Sequence, residues 1–285
     1  MITPDSKGMI ARFYERILPK ILKNLLLTNS DAMVDSFSRI IPKFSSEQKK
    51  ILIEKFCDDF SRNGSQADII DILEKYGKCH IAYSQEGEDI LLGRILDISQ
   101  PGFFIDIGAH HPVRYSNTYQ LYRKGWRGIN IDPTPGCMEQ FRIVRPEDIN
   151  LEYAISMDDK PITFFIFHEG ALNTFDARLA KEYQDNGWIL EKTLEIKPRP
   201  LSEILIDYHE TAKKVSLMSI DVEGLEMDVL SSNDWEVCVP DTIIIEALSN
   251  SLQSLDTFPP ISFLMKKGYL PISKLKNSVI LQRTV

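Results

Sequence analysis

Short apolar runs that end in an acidic residue are the most regular pattern in the chain. Phe103 to Pro112 reads FFIDIGAHHP, and Gly128 to Pro135 reads GINIDPTP. Runs of this kind are typical of buried parallel strands that carry a loop at their carboxyl ends. Residues 113–125 leave room for one helix between them. The pattern therefore predicts a βαβ unit with a binding crevice at the strand tips.

Further runs extend the predicted sheet. VSLMSID ends in Asp221 and DTIIIE ends in Glu246, so two more strands bring carboxylates to the same edge. INLEYAIS, residues 149–156, predicts a third strand, and residues 269–273 and 278–282 predict an antiparallel pair. The predicted fold class is α/β, with a mostly parallel sheet and an antiparallel carboxyl-terminal strand.

An insertion follows the third predicted strand. Residues 162–167 and 193–197 both have a strand-like pattern, and the segment 170–188 between them is long for a plain loop. Insertions of this kind tend to build substrate sites. We therefore predict substrate contacts from polar and aromatic residues in and beside it, namely His168, Asn173, Phe175 and Trp188.

Residues 1–80 have a helical pattern and are predicted to form an accessory region, with 81–285 as the main domain. In residues 10–27 the apolar positions recur at three and four, with basic residues opposite and Pro19 as a kink. Such a helix packs on its own domain, contacts a partner subunit or lies on an anionic membrane surface. In the next segment, YSQEGEDILL, Ser84 is placed to cap a helix and Gln85 to roof the crevice.

Composition narrows the class of partner. The 285-residue chain has a net charge of -8, which gives no general attraction to nucleic acid. Its four cysteines lack metal-ligand spacing and suit a reducing cytosol. No apolar run is long enough to span a membrane, and the amino terminus lacks a signal-peptide layout. These features predict a cytoplasmic protein, or one held at a membrane periphery by residues 10–27.

The polar residues at the first two strand tips indicate a nucleoside site. Gly108 lets backbone approach a ligand, and Asp132, 26 positions after Asp106, is placed to accept hydrogen bonds from ribose hydroxyls. The bulky Ala109-His110-His111 sequence replaces the glycines that a pyrophosphate would need. S-adenosylmethionine (SAM) fits such a site, although acidic strand ends are also ordinary in α/β sheets. The predicted cofactor contacts are Gln85, Asp106, Gly108, Ala109, His110, Asp132, Ala154 and Asp221.

The order and spacing of FFIDIGAHHP, GINIDPTP, SLMSIDVEGLEMDVL and DTIIIEAL resemble the FkbM family of SAM-dependent methyltransferases. The resemblance extends over about Tyr83 to Arg283 and implies a Rossmann-like class I methyltransferase sheet. It also implies methylation of hydroxyl groups on sugars, polysaccharides or natural products. Asp106 and Gly108 match the first SAM motif, and Asp221, Glu223 and Gly224 match the family's I-D-V-E-G motif. The first loop departs from the family's Ala-Asn-x-Gly pattern.

A hydroxyl acceptor must lose its proton for methyl transfer, and the sequence offers two routes. His110, His111 or His168 could act as a general base, or Asp221, Glu223 and Glu246 could hold a divalent cation such as magnesium that lowers the hydroxyl pKa. Structural roles compete with both. Glu223 could cap the helix near Leu225, Asp221 could accept backbone hydrogen bonds, and the histidines could touch the cofactor alone.

The leading hypothesis is an O-methyltransferase that uses SAM and a sugar or glycan-type acceptor. One alternative is a methyltransferase for a small natural product or a lipid-linked molecule. Another is a non-catalytic module that keeps the SAM fold and acts through its amino-terminal helices. Retained acidic residues at three strand tips favour the enzyme.

Overall fold

The computed structural model describes residues 80–158, 160–208, 214–248 and 252–284. Its strands are β1 (Phe103–Ile107), β2 (Arg127–Ile131), β3 (Ile149–Leu151), β4 (Ile162–Phe167), β5 (Leu190–Ile196), β6 (Val215–Ile220), β7 (Thr242–Glu246), β8 (Tyr269–Lys274) and β9 (Ser278–Arg283). Its α-helices are α1 (Glu88–Ile95), α2 (Tyr119–Arg123), α3 (Cys137–Val144), α4 (Ala177–Asp185), α5 (Leu201–Ile206), α6 (Glu226–Ser232) and α7 (Pro259–Lys266). Short 3-10 helices span Gly170–Leu172 and Leu252–Thr257.

A seven-stranded sheet has the order β3-β2-β1-β6-β7-β9-β8. The strands from β3 to β7 in that order are parallel to their neighbours, and β9 is antiparallel to both β7 and β8. The predicted α/β class, with a mostly parallel sheet closed by antiparallel carboxyl-terminal strands, is confirmed. The strand order reverses between β1 and β6, and ligands bind in the crevice at such switch points.

Both faces of the parallel strands are buried, which explains their continuous apolar sequences. Ile105 of β1 and Ile129 of β2 have no exposed surface and pack in the same cluster as Leu230 of α6. Phe104 points to the other face, where it packs in a second cluster with Leu92 of α1. Helices on both sides therefore hold the strands so that their carboxyl ends meet at one edge.

The insertion after β3 is an antiparallel hairpin outside the main sheet. β4 and β5 pair with each other, with Phe164 opposite Leu194. The connection between them contains the short 3-10 helix and α4, and the side chain of Asp176 caps α4 by accepting from the N–H groups of Arg178 and Leu179. β5 begins at Leu190, earlier than the predicted residue 193.

The predicted amino-terminal helices, including the amphipathic segment 10–27, lie outside the described residues and stay predictions. Among the helices that the structure does describe, none combines the length and the apolar character needed to cross a membrane.

Candidate active site

A cavity opens at the carboxyl edge of the sheet, where the loops after β1, β2, β6 and β7 meet the inserted hairpin. Predicted site residues on its wall are Gln85, Gly108, His110, Asp132, Asn173, Phe175, Asp221, Glu223 and Glu246. The wall also contains residues that were not predicted as site residues, among them Glu88, Tyr115, Asn117, Phe164, Asn277 and Ser278. The structure therefore brings both groups of predicted carboxylates, from β2 and from β6 and β7, to one cavity.

Gly108 joins the two halves of this edge. It has a φ of +80°, and a Cβ atom there would lie 1.7 Å from the carbonyl oxygen of Asp221. The N–H groups of Gly108 and Ala109 both donate to the carbonyl of Ile131, at 2.9 and 3.1 Å. Glycine is thus required by the neighbouring backbone of the β6 tip, a constraint in addition to the predicted approach of a ligand.

Asp132 organises the loops at the tip of β2. Its Oδ2 accepts from the N–H of His110 at 2.9 Å, and its Oδ1 accepts from the N–H of Thr134 at 2.8 Å. The thiol of Cys137 donates to the same Oδ1 at 3.6 Å. A carboxylate offers about four lone pairs. Asp132 can therefore hold both loops and still accept from a ligand in the cavity.

The two adjacent histidines have different surroundings. His110 has a φ of +52° and lies on the cavity wall. Its Nε2 is buried and has no hydrogen-bond partner among the described residues, and burial lowers its pKa. His111 does not reach the cavity wall, and its Nδ1 accepts from the N–H groups of Val113 and Arg114 at 3.0 and 2.9 Å. Burial lowers the pKa of His111 to about 4, so the ring is neutral and stabilises the loop.

Three carboxylates converge at the tips of β6 and β7. Asp221, Glu223 and Glu246 each offer an oxygen, and these atoms all lie within 4.8 Å of one another. Burial, followed by repulsion from nearby carboxylates that include Glu226, raises the pKa of Asp221 to about 7, of Glu223 to about 8 and of Glu246 to about 10. Protein groups crowd Asp221 and raise its pKa, yet its side chain is exposed on the cavity wall, so water or a ligand can reach its charge.

The carboxylate of Glu223 does not cap α6, and the carboxylate of Asp221 accepts no backbone hydrogen bond among the described residues. The side chain of Glu226, in the first turn of α6, accepts from the N–H of Gly224 at 3.1 Å, a cap-like contact that was suggested for Glu223. Glu223 itself has a φ of +50°, and its carbonyl accepts from the hydroxyl of Thr174 at 3.2 Å. The backbone N–H of Asp221 donates to Ile107 at 3.0 Å. Within the described residues, no hydrogen bond reaches the carboxylate oxygens of Asp221, Glu223 or Glu246.

The segment before α1 covers one side of the cavity. Gln85 lies on the wall, and Glu88, three residues on, is almost completely buried. Glu88 accepts from the N–H of Glu86 at 2.8 Å and from the hydroxyl of Ser278 at 3.1 Å. The N-cap of α1 is Gly87, with no side-chain cap. The hydroxyl of Ser84 accepts from the N–H of Asp89 at 3.2 Å, so its contact falls in the first turn of the helix.

The insertion supplies two of its four predicted substrate residues to the cavity. The amide of Asn173 donates to the hydroxyl of Thr134 at 3.1 Å, and the centres of the Phe175 and Phe164 rings are 4.5 Å apart. The side chain of His168 is 79% exposed and pairs with Glu191 at 2.9 Å. Trp188 is 49% exposed and does not line the cavity either. His168 and Trp188 lie at the connected end of the hairpin, where β4 ends and β5 begins.

Three predicted cofactor contacts lie behind the wall. Asp106 is buried and accepts from the hydroxyl of Thr118 at 2.6 Å. Ala109 packs with Met138 and Phe141. Ala154 is buried, and its carbonyl accepts from the N–H of Arg199 at 3.0 Å. Their side chains face the protein interior, so they shape the site without lining the cavity.

The switch-point cavity, the glycine turn after β1 and the acidic residue after β2 define a Rossmann-like site for a nucleoside-type ligand. The family described as Methyltransferase FkbM domain matches residues 106–269, more than half of the chain. The chain belongs to this family and is a SAM-dependent methyltransferase. No curated protein matched the sequence.

Several solved structures are distantly similar to the chain. One is a fibrillarin/Nop5p complex, at 12% identity and a TM-score of 0.37, covering 70% of this chain and 81% of that one. Another is a methyltransferase from Geobacter sulfurreducens, at 10% identity and a TM-score of 0.38, covering 81% and 96%. A third is CalS11, a TDP-rhamnose 3'-O-methyltransferase of calicheamicin biosynthesis, at 12% identity and a TM-score of 0.34, covering 99% and 96%.

Proposed function

We propose that this methyltransferase transfers the methyl group of SAM to a hydroxyl of a sugar or glycan-type acceptor. The observation that supports the proposal is the convergence, on one cavity, of Asp132 and a separate cluster of carboxylates that accept from no donor among the described residues. Asp132 is suited to the ribose hydroxyls of the cofactor. Neighbouring strands are about 4.8 Å apart, so the cluster on β6 and β7 lies about 10 to 14 Å further along the edge. At that distance from the ribose site, the cluster could contact an acceptor that lies beyond the methyl group of the cofactor.

Positioning supplies most of the rate enhancement in this reaction. SAM supplies an electrophilic methyl group, and the acceptor oxygen must be aligned about 3 to 3.5 Å from it. Gly108, His110 and Asp132 would hold the cofactor from the β1 and β2 side. His110 is the candidate base for the hydroxyl proton, because burial lowers its pKa and its Nε2 has no partner among the described residues; the buried ring would have to turn toward the cavity to take that proton.

The lining of the cavity favours an uncharged acceptor. Five acidic residues line it, and the same lining contains no Lys or Arg among the described residues. Without a bound cation, a phosphate or carboxylate on the acceptor would face acidic side chains and no basic side chain of the lining. Hydroxyl groups can donate to carboxylates, and the paired rings of Phe164 and Phe175 offer an apolar face. A polyhydroxylated sugar has both kinds of surface.

We also propose that Asp221, Glu223 and Glu246 hold a divalent cation such as Mg²⁺. Their oxygens are close enough for one ion, and hard cations prefer oxygen ligands. An ion there would compensate three crowded carboxylates and lower the pKa of a hydroxyl bound beside them. If EDTA changes neither cofactor binding nor turnover, the cluster acts on the acceptor directly.

Cofactor binding and the choice of acceptor distinguish the other hypotheses. A methyltransferase for a small natural product or a lipid-linked acceptor would bind the cofactor equally well but would not methylate glycans. A non-catalytic module would methylate nothing. Residues 10–27 lie outside the described part, and for them we propose the subunit or membrane-surface contact that their amphipathic pattern predicts.

The test is calorimetric titration with S-adenosylhomocysteine, followed by turnover of labelled SAM with a panel of acceptors. We expect micromolar binding by the wild-type protein, loss of binding in Asp132→Ala, and unchanged binding in the exposed control Asp185→Ala. Asp221→Asn should bind within about threefold but lose at least about 100-fold in turnover. Neutral glycans should outperform phosphorylated ones. No cofactor binding by the wild-type protein, with or without Mg²⁺, would overturn the proposal.

A further inference from the structure

The loop after β1 contains two residues in an unfavourable backbone conformation. His110 has a φ of +52° and Tyr115 has a φ of +58°, a region that non-glycine residues rarely occupy. Both line the cavity, together with Asn117. Strained residues persist only where surrounding contacts determine their conformation. The stability of this loop therefore needs a structural cause.

Contacts on the solvent side of the loop are too weak to be that cause. Arg114 forms a two-pronged pair with Glu169, at 3.1 and 3.2 Å. The two side chains are 38% and 33% exposed. Partly exposed pairs of this kind contribute little to stability. The loop has stronger contacts at Asp132 and at the His111 ring, and a further anchor lies on its buried side.

The buried side is anchored by two hydroxyl residues at the end of the loop. Ser116 and Thr118 have 2% and 0% of their surface exposed. The Ser116 hydroxyl accepts from the N–H groups of Thr118 and Tyr119, at 3.3 and 3.1 Å. The Thr118 hydroxyl donates to Asp106 at 2.6 Å and accepts from Nη2 of Arg145 at 3.0 Å. Thr118 thus connects a carboxylate of β1 to a buried guanidinium.

Arg145 is itself held by its surroundings. Its side chain is fully buried and pairs through Nε with the equally buried Asp148 at 2.8 Å. Asp148 in turn accepts from the N–H of Gly128 in β2 at 2.9 Å. The guanidinium carbon lies 5.1 Å from the centre of the Phe104 ring. Only a planar group with several donors can serve Asp148 and Thr118 together, so lysine would not replace it.

We propose that Thr118 and Arg145 are positioning residues for the cofactor loop, which we define as residues 108–118. Neither side chain lines the cavity, and both act through Asp106 and the backbone of the loop. The network gives Asp106 a role as an anchor behind the site. The inference rests on the proposed function only in assuming that the loop binds the cofactor.

Thr118→Val tests the proposal because it keeps the shape of the side chain and removes its donor and acceptor. We expect the dissociation constant for S-adenosylhomocysteine and the KM for SAM to rise about tenfold, because two charge-assisted hydrogen bonds are lost and part of their free energy reaches the loop, with kcat within about threefold. Backbone hydrogen exchange in residues 110–118 of the ligand-free protein should become faster. Thr118→Ser should restore both properties.

Matched controls separate positioning from general loss of stability. Thr242 is a buried threonine whose hydroxyl has no partner among the described residues, so Thr242→Val should change neither property. All measurements are made at a temperature at which each variant is fully folded. If Thr118→Val does not fold, Arg145→Lys takes its place with the same expected changes.

Two results would overturn the inference. One is a folded Thr118→Val protein with wild-type affinity, KM and exchange. The other is faster exchange spread evenly over the sheet, which would mean a structural role alone. Absence of binding by the wild-type protein would instead count against the proposed function, and the exchange measurement would still test the loop.

Discussion

Carboxylates lie at two places on the carboxyl edge of the sheet, the tips of β1 and β2 and the tips of β6 and β7. The two groups differ in their hydrogen-bond donors. At the β1–β2 tip, Asp106 accepts from Thr118, and Asp132 accepts from the backbone of His110 and Thr134. At the β6–β7 tip, Asp221, Glu223 and Glu246 face one another, and within the described residues no donor reaches their carboxylate oxygens. These three side chains are exposed or half-buried, so water can reach them, and acidic groups crowded together on a cavity wall mark a candidate binding site.

This difference suits the β1–β2 tip to cofactor binding and the β6–β7 tip to the reaction. The β1–β2 tip is complete before a ligand arrives, so it can hold a cofactor without reorganisation. The β6–β7 tip keeps carboxyl groups whose pKa values are raised toward or above neutrality. Such groups exchange protons or bind cations readily. The two tips touch directly where Gly108 meets the backbone of Asp221.

The largest effect should come from disturbing that contact. In Gly108→Ala the new Cβ would lie 1.7 Å from the Asp221 carbonyl oxygen, in a residue whose φ is +80°. Because the obstacle is backbone, one tip must move. We expect a loss of about 3 kcal/mol in the free energy of unfolding and no detectable cofactor binding, measured by denaturant titration and calorimetry.

Gly136→Ala is the matched control. Its φ is +81°, but a Cβ there would meet nothing within 4 Å. It should cost about 1 kcal/mol and leave cofactor binding within about twofold. Equal losses in the two variants would show that backbone conformation alone, and not the contact between the tips, explains the glycine.

An intermediate effect on the stability of the fold is expected when the pH is raised, and it should originate at the β6–β7 tip. The pKa values of about 7, 8 and 10 for Asp221, Glu223 and Glu246 are raised in the folded state. The folded protein therefore holds protons that the unfolded chain has released, and stability falls as pH rises through these values. Each retained proton costs about 1.4 kcal/mol per pH unit, or about 2 to 4 °C in Tm.

Thermal unfolding between pH 6 and pH 10, without divalent cations, measures this slope. Glu246→Gln should reduce it, whereas Glu236→Gln, at an exposed site, should leave it unchanged. Added Mg²⁺ should also flatten the curve if the cluster binds it. An identical slope in wild-type and Glu246→Gln proteins would mean that the cluster is not the source of the dependence.

The sequence predicted the sheet and its acidic tips because both follow from local pattern. A buried parallel strand must be apolar throughout, and its carboxyl end must carry the loop, so Asp132, Asp221 and Glu246 could be placed on one edge. The family resemblance of the motifs around Asp106 and Asp221 is confirmed by the match to the family. The orientation of Asp106, toward Thr118 and away from the cavity, could not be read from its position in the motif.

Contacts between distant segments carried no sequence signal. Asn277 and Ser278 reach the wall because β9 pairs with β7 beside Glu246. The buried Glu88 looks like an ordinary first-turn acid until Ser278 is placed against it. His168 and Trp188 were reasonable candidates by residue type, but their exposure depends on how the hairpin folds, which pattern alone does not determine.

The smallest effect is expected from Cys137, the remaining contact of the β1–β2 tip. Its thiol donates to Oδ1 of Asp132 at 3.6 Å, while the N–H of Thr134 already donates to that oxygen at 2.8 Å. A thiol is a weak donor, and burial raises its pKa, so it stays protonated. Cys137→Ala should change the dissociation constant for S-adenosylhomocysteine by less than about twofold. Cys238→Ala, in the core away from the site, is the control. A tenfold or larger loss of affinity in Cys137→Ala, without a loss in Cys238→Ala, would contradict this expectation. It would show that the backbone donors are not sufficient to hold Asp132 and that the β1–β2 tip needs the Cys137 thiol.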